Sequence, residues 1–315
     1  MKKDKPRNLA ASVRNRLLDR ARKSGEDFQL LITHFVIERL LYRLSQSQWR
    51  DEFVLKGAML FRVWTDMVHR PTRDVDLLGK GDNSESHIKQ VFREVCALNV
   101  EEDGLVFDAD SVTAARIKED QDYEGVRVHC RVRLENAEIV LQIDIGFGDA
   151  VTPRAAHISY PTMLEFPAPE MKAYPRQTVV AEKFQAMVAL GIANSRMKDF
   201  YDVWILARTF EFDGVALSRA IQATFRRRKT ELPATPPLAL TEAFATDTQK
   251  TKQWTAFIKK GKLEPNRISL QEVCEFLNQF LMPVSIASSV GDAFEKHWSA
   301  GGPWMQKKGR ESKMG

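Results

Sequence analysis

Apolar positions recur at helical spacing from the start of the chain. Leu9, Val13, Leu17 and Ala21 form one stripe over about Leu9 to Lys23, and Phe28, Leu31, Phe35, Ile37, Leu40 and Leu41 form a broader face, which predicts two amphipathic helices. From Phe53 the residues turn β-friendly, meet Lys56-Gly57, and pass into Ala58-Met59-Leu60-Phe61-Arg62-Val63-Trp64, a helix-like stretch entered through glycine. Leu77 to Ser84 reads as a strand end and loop, and His87 to Ala97 as a helix. Val112 to Ile117, Val126 to Leu134 and Ile139 to Ile145 read as strands, the last stopping at the turn signal Gly146-Phe147-Gly148-Asp149. Ile139, Leu141, Ile143 and Ile145 share one face of that strand, while Val140, Gln142 and Asp144 share the other.

A proline-bearing connector, Tyr160-Pro161 through to Tyr174-Pro175, leads into a half that reads as wholly helical. Thr178 is placed to cap a helix through Val179, Val180, Lys183, Phe184, Met187, Val188 and Leu190, stopping near Gly191 or Asn194. A second helix, about Lys198 to Phe210, turns Phe200, Val203, Trp204, Ala207 and Phe210 inward and lets Asp199 and Asp202 face together. Farther on, Trp254, Phe257, Phe276, Phe280 and Trp298 read as core. The order predicts an α+β protein with a mixed sheet and N-terminal helices over residues 1–165, and a helical C-terminal domain over 166–315.

Composition narrows the classes. With 43% apolar and 28% charged residues in 315, the chain can bury a real core, and it has no internal repeat or long low-complexity segment. No run of about 18 apolar residues exists, and Met1-Lys2-Lys3-Asp4-Lys5 leads into polar sequence, so a cytoplasmic location without membrane contact is expected. Cys96, Cys130 and Cys274 are odd in number, widely spaced and without C-x-x-C spacing, so neither a disulfide framework nor a zinc site is indicated and they read as buried thiols. His34, His69, His87, His129, His157 and His297 lack metal-ligand spacing and read as structural or surface residues. The net charge of +5 favours polyanionic ligands. Arg226-Arg227-Arg228-Lys229 reads as a solvated helix end or a contact to RNA phosphates, and Gln306-Lys307-Lys308-Gly309-Arg310 as a loose tail.

The chemistry concentrates at Arg70-Pro71-Thr72-Arg73-Asp74-Val75-Asp76. In an extended strand Asp74 and Asp76 point to the same face, with Cα atoms about 6–7 Å apart. Two adjacent carboxylates repel unless a proton or a cation lies between them, and hard oxygen ligands suit a Mg²⁺ ion that keeps room for phosphate oxygens. The pair therefore points to phosphoryl or nucleotidyl transfer. Asp144 supplies a third carboxylate if its strand neighbours that of Asp74. Taken singly, each residue also has a structural reading: a turn at Gly57, a turn cap at Asp144, a surface lysine at 183 and an i,i+4 pair of Lys198 with Asp202.

Four separated segments occur in a known order: Leu55-Lys56-Gly57-Ala58-Met59-Leu60-Phe61-Arg62, then Arg70-x-Thr72-Arg73-Asp74-x-Asp76-Leu77, then Ala181-Glu182-Lys183-Phe184-Gln185-Ala186, then Arg196-x-Lys198-Asp199-x-x-Asp202. Over about residues 25–210 this resembles the AbiEii/AbiGii nucleotidyltransferase toxin family. The resemblance implies a polymerase-β-like nucleotidyltransferase core with a helical C-terminal domain, acting as the toxin of a toxin–antitoxin or phage-defence pair. It implies Mg²⁺ as cofactor, held by Asp74 and Asp76, and an NTP whose phosphates meet Gly57 with its neighbours Lys56 and Ala58. Lys183 would contact the triphosphate, and Asp199 or Asp202 would either orient Lys183 or take the proton of the attacking hydroxyl. Arg73 is a further phosphate contact or an ion-pair partner. Ala58 departs from the Ser or second Gly common there, so a hydroxyl contact is lost while the backbone N–H remains. The expected reaction moves a nucleoside monophosphate to RNA, such as the tRNA 3′ end, and releases pyrophosphate. Transfer to a protein or small molecule, or a catalytically idle module that holds RNA or a partner, stays open. A cognate antitoxin is the expected partner, its direct contact open.

Overall fold

The computed structural model describes residues 8–65, 70–120, 123–263 and 268–307; the Met1–Lys5 segment, His69 and the Lys308-Gly309-Arg310 part of the basic tail lie outside them. The chain divides into two compact units, Met1–Gly148 with Ala156–Ala173, and Asp149–Ala155 with Tyr174–Gly315.

The first unit opens with helix α1 (Leu9–Ser24), capped by Asn8, whose side chain accepts from the Ala11 N–H, and stopped at Gly25 with φ 72°. Helix α2 (Phe28–Gln46) departs from the one-faced helix its periodicity predicts, because Thr33, His34, Glu38, Arg39 and Arg43 are buried along with its apolar face. Its charges are answered inside the unit: Arg43 forks onto Asp103 at 2.6 and 3.2 Å, and Arg39 reaches Asp103 at 3.2 Å and the Pro167 carbonyl at 2.8 Å.

Strand β1 (Phe53–Lys56) runs into a 3₁₀ turn, Gly57–Leu60, and the short helix α3 (Phe61–Trp64). Strand β2 (Asp74–Gly79) carries the acid pair, and helix α4 (Glu85–Ala97) follows behind a Ser84 cap. Strands β3 (Leu105–Asp120), β4 (Tyr123–Leu134) and β5 (Ala137–Phe147) are longer than their apolar patterns suggest, and β3 carries a register shift between Asp108 and Thr113. Two further strands, β6 (Ala156–Ser159) and β7 (Glu170–Ala173), lie in and beside the stretch expected to be a connector. Each has four residues among prolines, too few to show a period.

These strands form one mixed seven-stranded sheet in the order β3-β4-β5-β2-β1-β7-β6, so the acid-bearing strand is central. It runs antiparallel to β1 and parallel to β5. The alternation read along β5 is present: Ile139, Leu141, Ile143 and Ile145 are buried, and Val140 on the other face is 62% exposed.

The second unit contains helices α5 (Arg176–Leu190), α6 (Met197–Thr209), α7 (Gly214–Arg227), α8 (Glu242–Ala245), α9 (Thr248–Gly261) and α10 (Leu270–Val290). It is not wholly helical. Strands β8 (Phe212–Asp213), β9 (Lys296–Trp298) and β10 (Trp304–Gln306) make a small antiparallel sheet. Within the expected loose tail, Gln306 belongs to β10 and the Lys307 ammonium pairs with Asp213 at 2.5 Å. Thr178 does not cap α5, which starts behind Pro175; its hydroxyl is buried, donating to the Thr152 carbonyl at 2.8 Å and accepting from the Thr152 N–H at 3.0 Å. Trp254, Phe280 and Trp298 are core, with the Phe280 and Trp298 rings 4.9 Å apart. Helix α10 is long and apolar enough to span a membrane by length and composition, yet half of that window is buried, and Val273, Leu277, Phe280 and Leu281 pack within the unit. That is the burial of a core helix.

Candidate active site

In the first unit the site grows from the register of three strands. Lys56 at the end of β1 lies opposite Asp76, and Asp76 lies beside Asp144 in β5, which in turn faces Arg127 in β4. Val75 between the two acids is fully buried, whereas Asp74 and Asp76 are half-buried, which leaves both carboxylates on the sheet's accessible side. Lys56 and Ala58 are 7% exposed, and Arg73 is exposed immediately ahead of β2.

Gly57 is fixed by two constraints. Its φ of 76° is a left-handed backbone that β-carbon-bearing residues rarely adopt, and a Cβ there would land on the Asp76 carboxylate, 2.7 Å from its Cγ. The missing side chain is thus what lets the Asp76 carboxyl lie against the backbone turn. A carboxylate pressed on a glycine turn, with a second on the same strand face, supplies hard oxygen donors from one side only. That donor set fits Mg²⁺, which binds through one or two carboxylates and keeps its remaining positions for water and phosphate.

Asp144 is differently occupied. Its carboxylate accepts a fork from Arg127, Nε at 2.7 Å and Nη2 at 2.8 Å, and a third contact from Gln142 Nε2 at 3.2 Å. Among the described residues no three His, Cys, Asp or Glu side chains gather as a metal set. Strand register therefore brings Asp144 beside Asp76, while its side chain is bound to a guanidinium. Sequence reading missed Arg127, although the alternation of β4 turns it to the same face as His129, Arg131 and Arg133; only the pairing register shows that it meets Asp144.

In the second unit Lys183 on α5 and the two acids of α6 come together. The Lys183 ammonium donates to Asp199 at 2.5 Å and pairs with Asp202 at 2.9 Å. The side chains of Lys183, Asp199 and Asp202 are 14%, 7% and 0% exposed. One turn of α6 separates the acids, so both reach one ammonium, and the expectation that they face together describes the geometry found. The run at the end of α7 is not uniformly solvated: Arg226, Arg227 and Lys229 are exposed, but Arg228 is drawn inward to Gln185 at 2.9 Å and Asp149 at 3.1 Å.

Behind the acid strand, α2 presents two titratable groups one turn apart. Burial, reinforced by the Arg62 charge, pushes His34 down from 6.5 to about 4, and burial pushes Glu38 up from 4.5 to about 7 despite its hydrogen bond from the Met163 N–H. As the pH rises from 4.5 to 7 the unfolded chain ionises Glu38 first, so this group lowers stability progressively and its full cost stands above pH 7. His34 acts oppositely: as the pH falls from 6.5 to about 4 the unfolded chain binds a proton that the native ring refuses, and stability is lost. Between about 4.5 and 6.5 the two slopes offset each other. Glu38→Gln is expected to remove one slope, so that its stability relative to wild type is higher at pH 8 than at pH 5 by roughly 3 kcal/mol, measured by urea denaturation at pH 5, 6.5 and 8. Equal stability gains at all three pH values would contradict this origin.

The model of the family described as "Nucleotidyl transferase AbiEii toxin, Type IV TA system" matches residues 39–279, well over half the chain and inclusive of Gly57, Asp74, Asp76, Asp144, Lys183, Asp199 and Asp202. The protein is thus a nucleotidyltransferase of the α+β class. The chain belongs to the AbiEii family of toxins, the toxin component of type IV toxin–antitoxin systems. The match continues into α10, beyond the segment over which the motifs alone carry the resemblance. No curated protein matches the chain. Among solved structures it is similar to JHP933 from Helicobacter pylori, at 15% identity and a TM-score of 0.48, with 84% of this chain and 94% of that one covered. A second H. pylori structure, described as a candidate nucleotidyltransferase, aligns at 16% identity and a TM-score of 0.48, covering 84% and 96%.

Proposed function

We propose that this toxin transfers a nucleoside monophosphate from an NTP to an RNA acceptor such as the tRNA 3′ end, releasing pyrophosphate, with Mg²⁺ held by Asp74 and Asp76. The observation that carries the reading is the seating of the Asp76 carboxylate on the Gly57 turn, which sets an acidic strand against a backbone able to approach phosphate closely. Bound there, Mg²⁺ would neutralise phosphate charge and favour the attacking and leaving oxygens of an in-line displacement. The protein's own part is chiefly positioning. Asp74 and Asp76 would hold the cation. The Gly57 backbone, with Lys56 and Ala58 around it and Arg73 near by, lines the phosphates. Lys183, paired with Asp199 and Asp202, would be the point charge for the triphosphate, and Asp199 or Asp202 would either orient Lys183 or take the proton from the acceptor hydroxyl. Asp144 would be a third metal ligand only with its Arg127 fork opened.

The net charge of +5 and the exposed Arg226, Arg227 and Lys229 support a polyanionic acceptor over a neutral one. Incubating the full chain with each α-labelled NTP, Mg²⁺ and separated cell fractions is the test. Label is expected in small RNA. Label confined to protein or small molecules would replace the acceptor, and absence of label from every fraction would remove the transferase reading of this chain. The cognate antitoxin implied by the family is expected to relieve growth inhibition, whether by contact with the toxin or at the level of its expression.

A further inference from the structure

We infer that His34, which lies outside the segment matched by the family model, is a positioning residue for the nucleotidyl transfer proposed above: it clamps the Thr72 carbonyl and the Arg62 guanidinium together and so fixes where Asp74 enters the site. The inference rests on the transferase reading. His34 is 5% exposed on α2, with Nε2 2.8 Å from the Thr72 carbonyl oxygen and Nδ1 3.0 Å from Arg62 Nη1. A carbonyl can only accept and a guanidinium can only donate. The ring is therefore neutral, donating from Nε2–H to Thr72 and accepting at Nδ1 from Arg62.

The two partners sit at informative places. Arg62 belongs to the helical stretch that begins at Gly57, and Thr72 is two residues ahead of Asp74. Among the described residues the ladder between β1 and β2 ends at the Lys56–Asp76 pair, and Asp74 at the start of β2 is paired to Gln142 of β5. His34 adds a tie two residues ahead of Asp74, at the Thr72 carbonyl. Glu38, one turn farther along α2, attracts the Arg62 guanidinium when its carboxyl is ionised. The result is a crosslink of one neutral and one charge-assisted hydrogen bond between the helical stretch that follows Gly57 and the approach to the acid pair.

Glutamine at position 34 offers both a donor group and an acceptor, as the ring does, whereas leucine offers neither. His34→Leu is expected to lower kcat for NTP incorporation about 10- to 100-fold with the NTP KM changed less than about threefold, and His34→Gln to stay within about threefold of wild type in both. A kcat for His34→Leu within threefold of wild type, or a His34→Gln enzyme as slow as the leucine variant, would overturn the clamp. If the leucine variant fails to fold, Arg62→Met removes the acceptor's partner without altering α2 and is read the same way. Amide hydrogen exchange of Arg73 to Asp76 in the full chain separates this idea from the transferase reading. Faster exchange in His34→Leu, restored by His34→Gln, supports the clamp even if wild type labels nothing, and unchanged exchange rejects it.

Discussion

Asp76→Asn is expected to lower NTP incorporation by about 10³-fold or more, equivalent to roughly 4 kcal/mol of lost transition-state stabilisation, while leaving the fold intact. The substitution is isosteric. Its side chain can still lie on the Gly57 turn, where a Cβ would have met Asp76, so the change removes charge and little else. Asp74→Ala should behave alike in activity. A second readout avoids the reaction altogether: Mg²⁺ with NTP at a hundred times the dissociation constant should stabilise the wild-type chain by about 2.7 kcal/mol and the variant much less. An Asp76→Asn protein that retains more than a tenth of wild-type incorporation would end the metal-pair reading.

Much of this site was legible before any fold. Period-two alternation placed Asp74 and Asp76 on one strand face and Asp144 outward on another, and the glycine between a β-friendly run and a helix-like one marked the turn that Asp76 covers. The spacing of Asp199 and Asp202 likewise set two acids one helical turn apart, where Lys183 meets both. What stayed hidden depends on contacts distant in sequence. Pairing Arg127 with Asp144 requires the β4–β5 register, and burying Glu38, Arg39 and His34 requires the loops and strands that pack on α2. A polar residue on a helix reads as solvated until a partner far along the chain is known. Strands β6 to β10 failed for another reason: with two to four residues each, they are too short for any period to register, and tertiary pairing alone makes them strands.

Lys183→Met is expected to cost activity and stability together, and separating the two losses decides what the lysine does. Its ammonium neutralises two carboxylates that are 7% and 0% exposed, so methionine, of similar length, leaves both acids without that charge. Removing one partner from a buried ion pair typically costs about 3–5 kcal/mol, since the remaining charge has been taken out of water without compensation. A denaturant titration should show that loss. Adding Asp199→Asn removes one of the two stranded charges, and the double variant should regain part of the stability. If Lys183 served only to tie α5 to α6, the double variant at a temperature where it is folded would incorporate label as fast as Asp199→Asn alone. Contact with the triphosphate gives a different outcome. The double variant then stays at least about 10²-fold slower than Asp199→Asn, because no amount of recovered stability restores a positive charge facing the developing pyrophosphate.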